Sequence, residues 1–156
     1  MRSVRRSALL LLGTCVFSPA ALADLAGPRA RMIGLTLPAF SRELPLNGRP
    51  VIMSSLQGAA RTLGLDGVCV STEAFVLRGP EVERYGRRSY LEALPARWVQ
   101  LGFEVAPRVK VGFDHLFLLR SGAAVTVVLI RSGLGDLVLA SCSVVTDRPA
   151  STSVLP

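Results

Sequence analysis

The sequence is poor in the residues on which catalysis most often draws. Of 156 residues one is histidine, His115, three are cysteine, Cys15, Cys69 and Cys142, and aromatics make up 6%. It contains no CxxC, HExxH, GxSxG, SxxK or GxGxxG motif, and no phosphate-binding glycine loop ending in Lys-Ser or Lys-Thr. The usual signatures of zinc proteases, serine hydrolases and nucleotide-binding enzymes are therefore missing. One histidine and two cysteines without local spacing do not make a metal site, and no cofactor is expected. A Cys–His nucleophilic pair would need His115 beside Cys69 or Cys142. All three fall in expected strands, where structural roles are common.

Long hydrophobic runs are also absent. The run from Ala8 to Phe17 has roughly ten residues, against the about 18 that a membrane span requires. Val125–Ile130, with six, suits a strand. Nor is the charge strongly one-sided. Three of the eighteen basic residues, Arg2, Arg5 and Arg6, precede any acid, which leaves fifteen against eleven. That mild excess is no nucleic-acid signature, even though every basic residue but Lys110 is arginine.

What the N-terminus does hold is the sequence of parts found in a secretory signal: arginines, a short apolar run, Ser18-Pro19, then Ala21-Leu22-Ala23 before Asp24. Small residues at Ala21 and Ala23 fit the narrow subsites of a signal peptidase. The expectation is cleavage between Ala23 and Asp24, giving a secreted or periplasmic chain without a transmembrane segment. A lipid anchor on Cys15 fits less well, because Thr14 precedes it. Loss of Cys15 leaves Cys69 and Cys142, and an even pair in an oxidising compartment points to a disulfide.

Residues 24–50 read as an irregular Pro/Gly-rich segment, with a short strand near 31–37. Residues 51–146 read as one α+β domain, and 147–156 as a flexible tail. Within the domain, Leu56, Ala59, Ala60 and Leu63 repeat at i, i+3, i+4, i+7, one face of a helix capped by Ser54 or Ser55. Residues 68–77 read as a strand with an interruption near Glu73. A second helical region starts at Pro80 and ends at Gly102, with a kink or restart at Pro95 or a break at 86–89. Leu91, Leu94, Trp98 and Leu101 share its apolar face. From Asp114 to Val145, Ser-Gly turns separate three strands, hence an antiparallel meander. The fold class is α+β, two helical regions packed on an antiparallel sheet that ends in a three-strand meander.

These strands do not alternate apolar with polar, as a sheet with one wet face would. Val125, Val127 and Leu129 fall on one face; Thr126, Val128 and Ile130 on the other. With two helices covering one face, the second would need the 24–50 segment, another copy of the protein, or an apolar ligand or partner.

The densest charge cluster is "RGPEVERYGRR" at 78–88. Arg78, Arg84, Arg87 and Arg88 could form an anion or partner patch, with Tyr85 and Tyr90 for stacking. The competing reading is a solvated helix face, since Glu83–Arg87, Arg88–Glu92 and Glu81–Arg84 are helix-spaced opposite pairs.

A helix ending in Leu101-Gly102-Phe103 and followed by a strand meander is similar to the layout of many small bacterial envelope proteins. The expected function is that of an exported envelope or periplasmic protein, non-catalytic, acting through a protein partner or as a homo-oligomer. The alternatives are a carrier of a small apolar ligand and, behind it, a small thiol enzyme or hydrolase.

Overall fold

Three strands with apolar side chains on both faces form the middle of the molecule. They are β7 (Asp114–Ser121), β8 (Ala124–Ser132) and β9 (Asp136–Val145). Positive φ at Gly122 and Gly135 closes the two turns between them. The computed structural model describes residues 27–45, 49–80, 82 and 87–146. Cys15, Ala21, Ala23, Asp24, Arg84 and the tail at 147–156 lie outside the described residues.

The long strand β4 (Val68–Arg78) pairs antiparallel with β9, and the short β3 (Ser41–Glu43) pairs with β4. Beyond β7, two short pieces, β5 (Glu104–Val105) and β6 (Val109–Val111), share one edge. The strand order of this seven-stranded sheet is β3-β4-β9-β8-β7-β5, with β6 beside β5 on β7. The edge was not legible in the sequence, because Pro107 and the two-residue length of β5 hide it.

The two helices take opposite faces of the sheet. This corrects the expectation that both would cover one face. Helix α1 (Arg49–Thr62) lies on the face of Ala74, Leu116, Leu118, Val127, Leu129, Ala140 and Val144, into which it buries Leu56, Ala59 and Ala60. The Gln57 side chain fixes its height. Its Nε2 donates to Gly67 O at 2.7 Å, and its Oε1 accepts from Cys69 N at 3.0 Å. Helix α2 (Arg87–Gln100) lies on the other face and buries Leu91, Leu94 and Trp98 against Phe75, Phe117, Leu119, Val128 and Ile130. Leu101 falls past its last turn and is half exposed. Pro95 neither ends nor restarts α2, which runs unbroken from 87 to 100. The buried Leu94 and Trp98 on either side of Pro95 hold the turn where the proline cannot donate.

The 27–37 segment completes the cover. The expected strand near 31–37 is instead a hairpin. Strands β1 (Arg29–Ala30) and β2 (Leu35–Thr36) flank a turn at 31–34, with Gly34 at φ 67°. Its Ile33, Leu35 and Leu37 join the α2 side of the core. Glu73 does not interrupt β4. Its carboxylate accepts the Met32 amide at 3.0 Å and ties the hairpin to the sheet. The second face thus has cover from this chain, and the sheet needs no other copy or ligand to bury it.

Trp98 and Phe117 meet edge to face, with centroids 5.1 Å apart, at the contact between α2 and the sheet. Trp98→Ala should lower the unfolding free energy by about 3–5 kcal/mol in urea titrations. Leu134→Ala, on the fully exposed β8–β9 turn, should change it by less than about 0.5 kcal/mol.

Candidate functional site: a basic cleft and an apolar turn end

Cys69 and Cys142 form a disulfide, with Cα atoms 5.6 Å apart and a sequence separation of 73. Strand pairing alone would not produce it. Thr72 faces Cys142 and Ser71 faces Ser143, so unbroken alternation would turn Cys69 to the opposite side of the sheet. A bulge between Cys69 and Ser71 inserts Val70 and places Cys69 opposite Val144. Both cysteines then point into the α1 side of the core, where they are buried. Cysteines held this way are neither nucleophiles nor metal ligands. Deleting Val70 should make β4 regular with Cys69 still opposite Val144 and on the Cys142 face, so the disulfide should persist and a thiol titration should find no free cysteine there. Replacing both cysteines with alanine should cost about 4 kcal/mol of stability by loop entropy.

Of the four arginines of the sequence-derived patch, the side chains of Arg78 and Arg88 are described. Arg78 ends β4 and faces Asp136, with Nε to Oδ2 at 3.9 Å. Arg84 and the Arg87 side chain fall outside the description. Arg88 pairs with Glu92 at 2.9 Å, the helix spacing expected for a solvated pair. Tyr90 is no stacking platform. It packs on the α2 side of the core, and burial pushes its hydroxyl up, partly opposed by Arg97.

Arg88 does belong to a different cluster, one that the sequence did not suggest. It lines a cleft of about 430 Å³ with Leu91 and Glu92 from α2, Arg108 from the β5–β6 link, Lys110 of β6 and His115 of β7. Strand register explains the meeting. Lys110 lies opposite His115, and His115 shares a face with Phe117 and Leu119, beneath α2. Neither Arg108 nor Lys110 makes an ion pair with a described residue. The His115 ring is partly exposed, but its Nδ1 is buried without a hydrogen-bond partner among the described residues. Desolvation lowers the imidazole pKa, and Arg108 and Lys110 lower it further, against an opposing pull from Asp114. The signal in the sequence was the alternation Arg108, Lys110 two residues apart beside a lone histidine. It lies some twenty residues from Arg88, so only the fold joins them.

The sign of the pH effect follows. The folded state binds a proton at His115 less readily than the unfolded chain, so there is no penalty above about pH 6.5 and a growing one below it. The stability of the wild type relative to His115→Gln should therefore fall as the pH is lowered from about 7.5 to 5.5, measured by paired urea titrations.

A second feature lies at the end of the sheet where β6 turns into β7 and β8 into β9. Phe113 is 79% exposed and Leu134 fully so; the two turns are joined by a Ser132 N to Phe113 O hydrogen bond. Between them and β9 is a cleft of about 420 Å³, walled by Phe113, Asp114, Arg131, Asp136 and Val138. Its base is rigid. Arg131 grips Asp114 with two hydrogen bonds of 2.7 and 2.8 Å, which raises the Arg131 pKa.

Among the described residues no group of three or more His, Cys, Asp or Glu is placed to hold a metal ion, and no helix is long and apolar enough to cross a membrane. Compared with protein-family models, with curated proteins and with solved structures, the chain matched none. What the fold defines is a disulfide-braced α+β protein with helices on both faces of an antiparallel sheet.

Proposed function

We propose that this is an exported protein of the bacterial envelope or periplasm that acts without catalysis, by docking its turn end onto another protein. The observation that carries the reading is the pair Phe113 and Leu134. Two large apolar side chains stand in solvent on neighbouring tight turns, above a floor held by the Arg131–Asp114 pair. Exposed apolar groups presented on a rigid frame, with polar neighbours around them, are the usual make-up of a contact site.

The occupant that fits is a different protein with an apolar pocket. Two turn tips with Val111 beside them offer far less than the about 800 Å² per partner that a stable dimer buries. A small pair of plugs entering a preformed pocket suits a transient, heterologous contact better than self-association. Against the carrier alternative, the clefts walled by Thr62 and Leu116, by Phe113 and Val138, and by Leu91 and His115 open at the surface, and each has charged residues in its wall. Against a thiol enzyme, Cys69 and Cys142 are bonded to each other. Export is supported by the N-terminal pattern of the sequence and by the disulfide, which oxidising compartments favour.

A photo-crosslinking residue at position 113, introduced in the producing cell, tests the docking. The expected result is one adduct with an envelope protein that, once purified, binds the wild type and loses about tenfold or more affinity for the Phe113→Ser/Leu134→Ser double variant. Adducts between copies of this chain alone, or binding unchanged in the double variant, would overturn it. Intact mass of the exported protein tests export itself, and should correspond to a chain beginning at Asp24.

A further inference from the structure

We propose that the cleft bounded by Arg88, Arg108, Lys110 and His115 binds a doubly charged oxyanion, a phosphate group carried as free phosphate or as a monoester. This site lies on the α2 face and does not share a residue with the turn-end cleft.

Among the described residues Glu92 is the cleft's one carboxylate, and Arg88 engages it at 2.9 Å. Arg108 and Lys110 therefore stand, among the described residues, as two cations without a carboxylate on the same wall, next to a histidine whose pKa is lowered by desolvation first and by their charges second. Two like charges and a lone imidazole gain nothing from each other. A dianion between them would neutralise both cations and replace repulsion with charge-assisted hydrogen bonds.

The donor set matches a tetrahedral oxyanion. Arg108 offers a planar fork, Lys110 a mobile point charge, and the partly exposed His115 ring its Nε2, since its Nδ1 is buried. Once the ring is protonated, Nε2 is a third donor. Arg88 can turn from Glu92 to add a fourth, since both side chains are exposed and their pair is worth little. The cleft, at about 430 Å³, admits a phosphate with a small organic substituent. Its apolar wall is Leu91.

The charged groups facing His115 are Arg88 and Glu92 from α2, Arg108 and Lys110 from the sheet edge, and Asp114 beside it in β7, whose carboxylate Arg131 already holds. Without a ligand the cations dominate. With a dianion in place the balance reverses, so ligand binding and His115 protonation strengthen each other. Phosphate itself gains a proton on mild acidification, so the coupling is read at the His115 titration midpoint and not from affinity against pH.

The chain's single histidine makes the test direct, because its imidazole NMR signals need no assignment. The purified protein, as the cell exports it, is titrated with inorganic phosphate, and in parallel with sodium chloride at matched ionic strength. The expected result is saturable movement of the His115 signals with phosphate and an upward shift of its titration midpoint; chloride should leave both nearly unchanged. Arg108→Gln/Lys110→Gln should weaken phosphate binding about tenfold or more with the thermal melt unaltered, since both side chains are exposed. Equal responses to phosphate and chloride, or undiminished binding by the double variant, would overturn the proposal. Should that variant fail to fold, the phosphate-against-chloride comparison on the wild type decides. Vesicles containing phosphatidate separate the two sources of the group. Vesicle binding that free phosphate displaces identifies a lipid headgroup, and phosphate binding without vesicle binding identifies a soluble ligand.

Discussion

Everything in this fold depends on strands β8 and β9 being apolar on both faces. Val128, Ile130, Leu137 and Leu139 point to one side, and Val127, Leu129, Ala140 and Cys142 to the other, all of them buried. Water on either side would expose most of the core. A helix on each face is the minimal answer, and the order of the chain supplies it. Helix α1 follows β3 and precedes β4, while α2 carries the chain from β4 to the far edge at β5. The hairpin of β1 and β2 fills what α2 leaves open. The sheet is thereby a middle layer, and what remains for interaction is its ends and the margins of its helices.

Both sites follow from that arrangement. At the turn end Phe113 and Leu134 are left largely outside the core. The basic cleft lies where α2 passes over the divided edge made by β5 and β6. A continuous edge strand would have paired Arg108 into the ladder; the break between Val105 and Val109 leaves it at the margin, next to Lys110 and His115. The disulfide plays a different part. It locks β4 to β9 at the other end of the sheet, near the Gln57 clamp on α1, well away from either cleft in the strand register.

The legible parts of the sequence were those governed by local rules. The meander of β7 to β9 was readable because Ser121-Gly122 and the glycines at 133 and 135 mark turns between β-branched runs. The inward face of α1 was readable from Leu56, Ala59 and Ala60. An amphipathic face tells that a helix packs, and not on which side of a sheet, so the opposite placement of α1 and α2 was hidden. The Cys69–Cys142 pair could be reached by counting cysteines, but the bulge at Val70 that makes it possible is a matter of register between strands far apart in sequence. For the same reason the charge run at 78–88 could not show that Arg88 shares a cleft with residues from the β5–β7 edge, which only the fold brings near.

This chain alone covers both faces of its sheet, and amide hydrogen exchange on the purified protein at low concentration tests that most directly. Amides of residues 127–130 in β8 and 139–142 in β9 should exchange most slowly, at the free energy of global unfolding, together with the buried turns of α1 and α2. Rapid exchange in either helix while the sheet stays protected, or protection of β8 that vanishes on dilution, would contradict it, because the cover would then come from elsewhere.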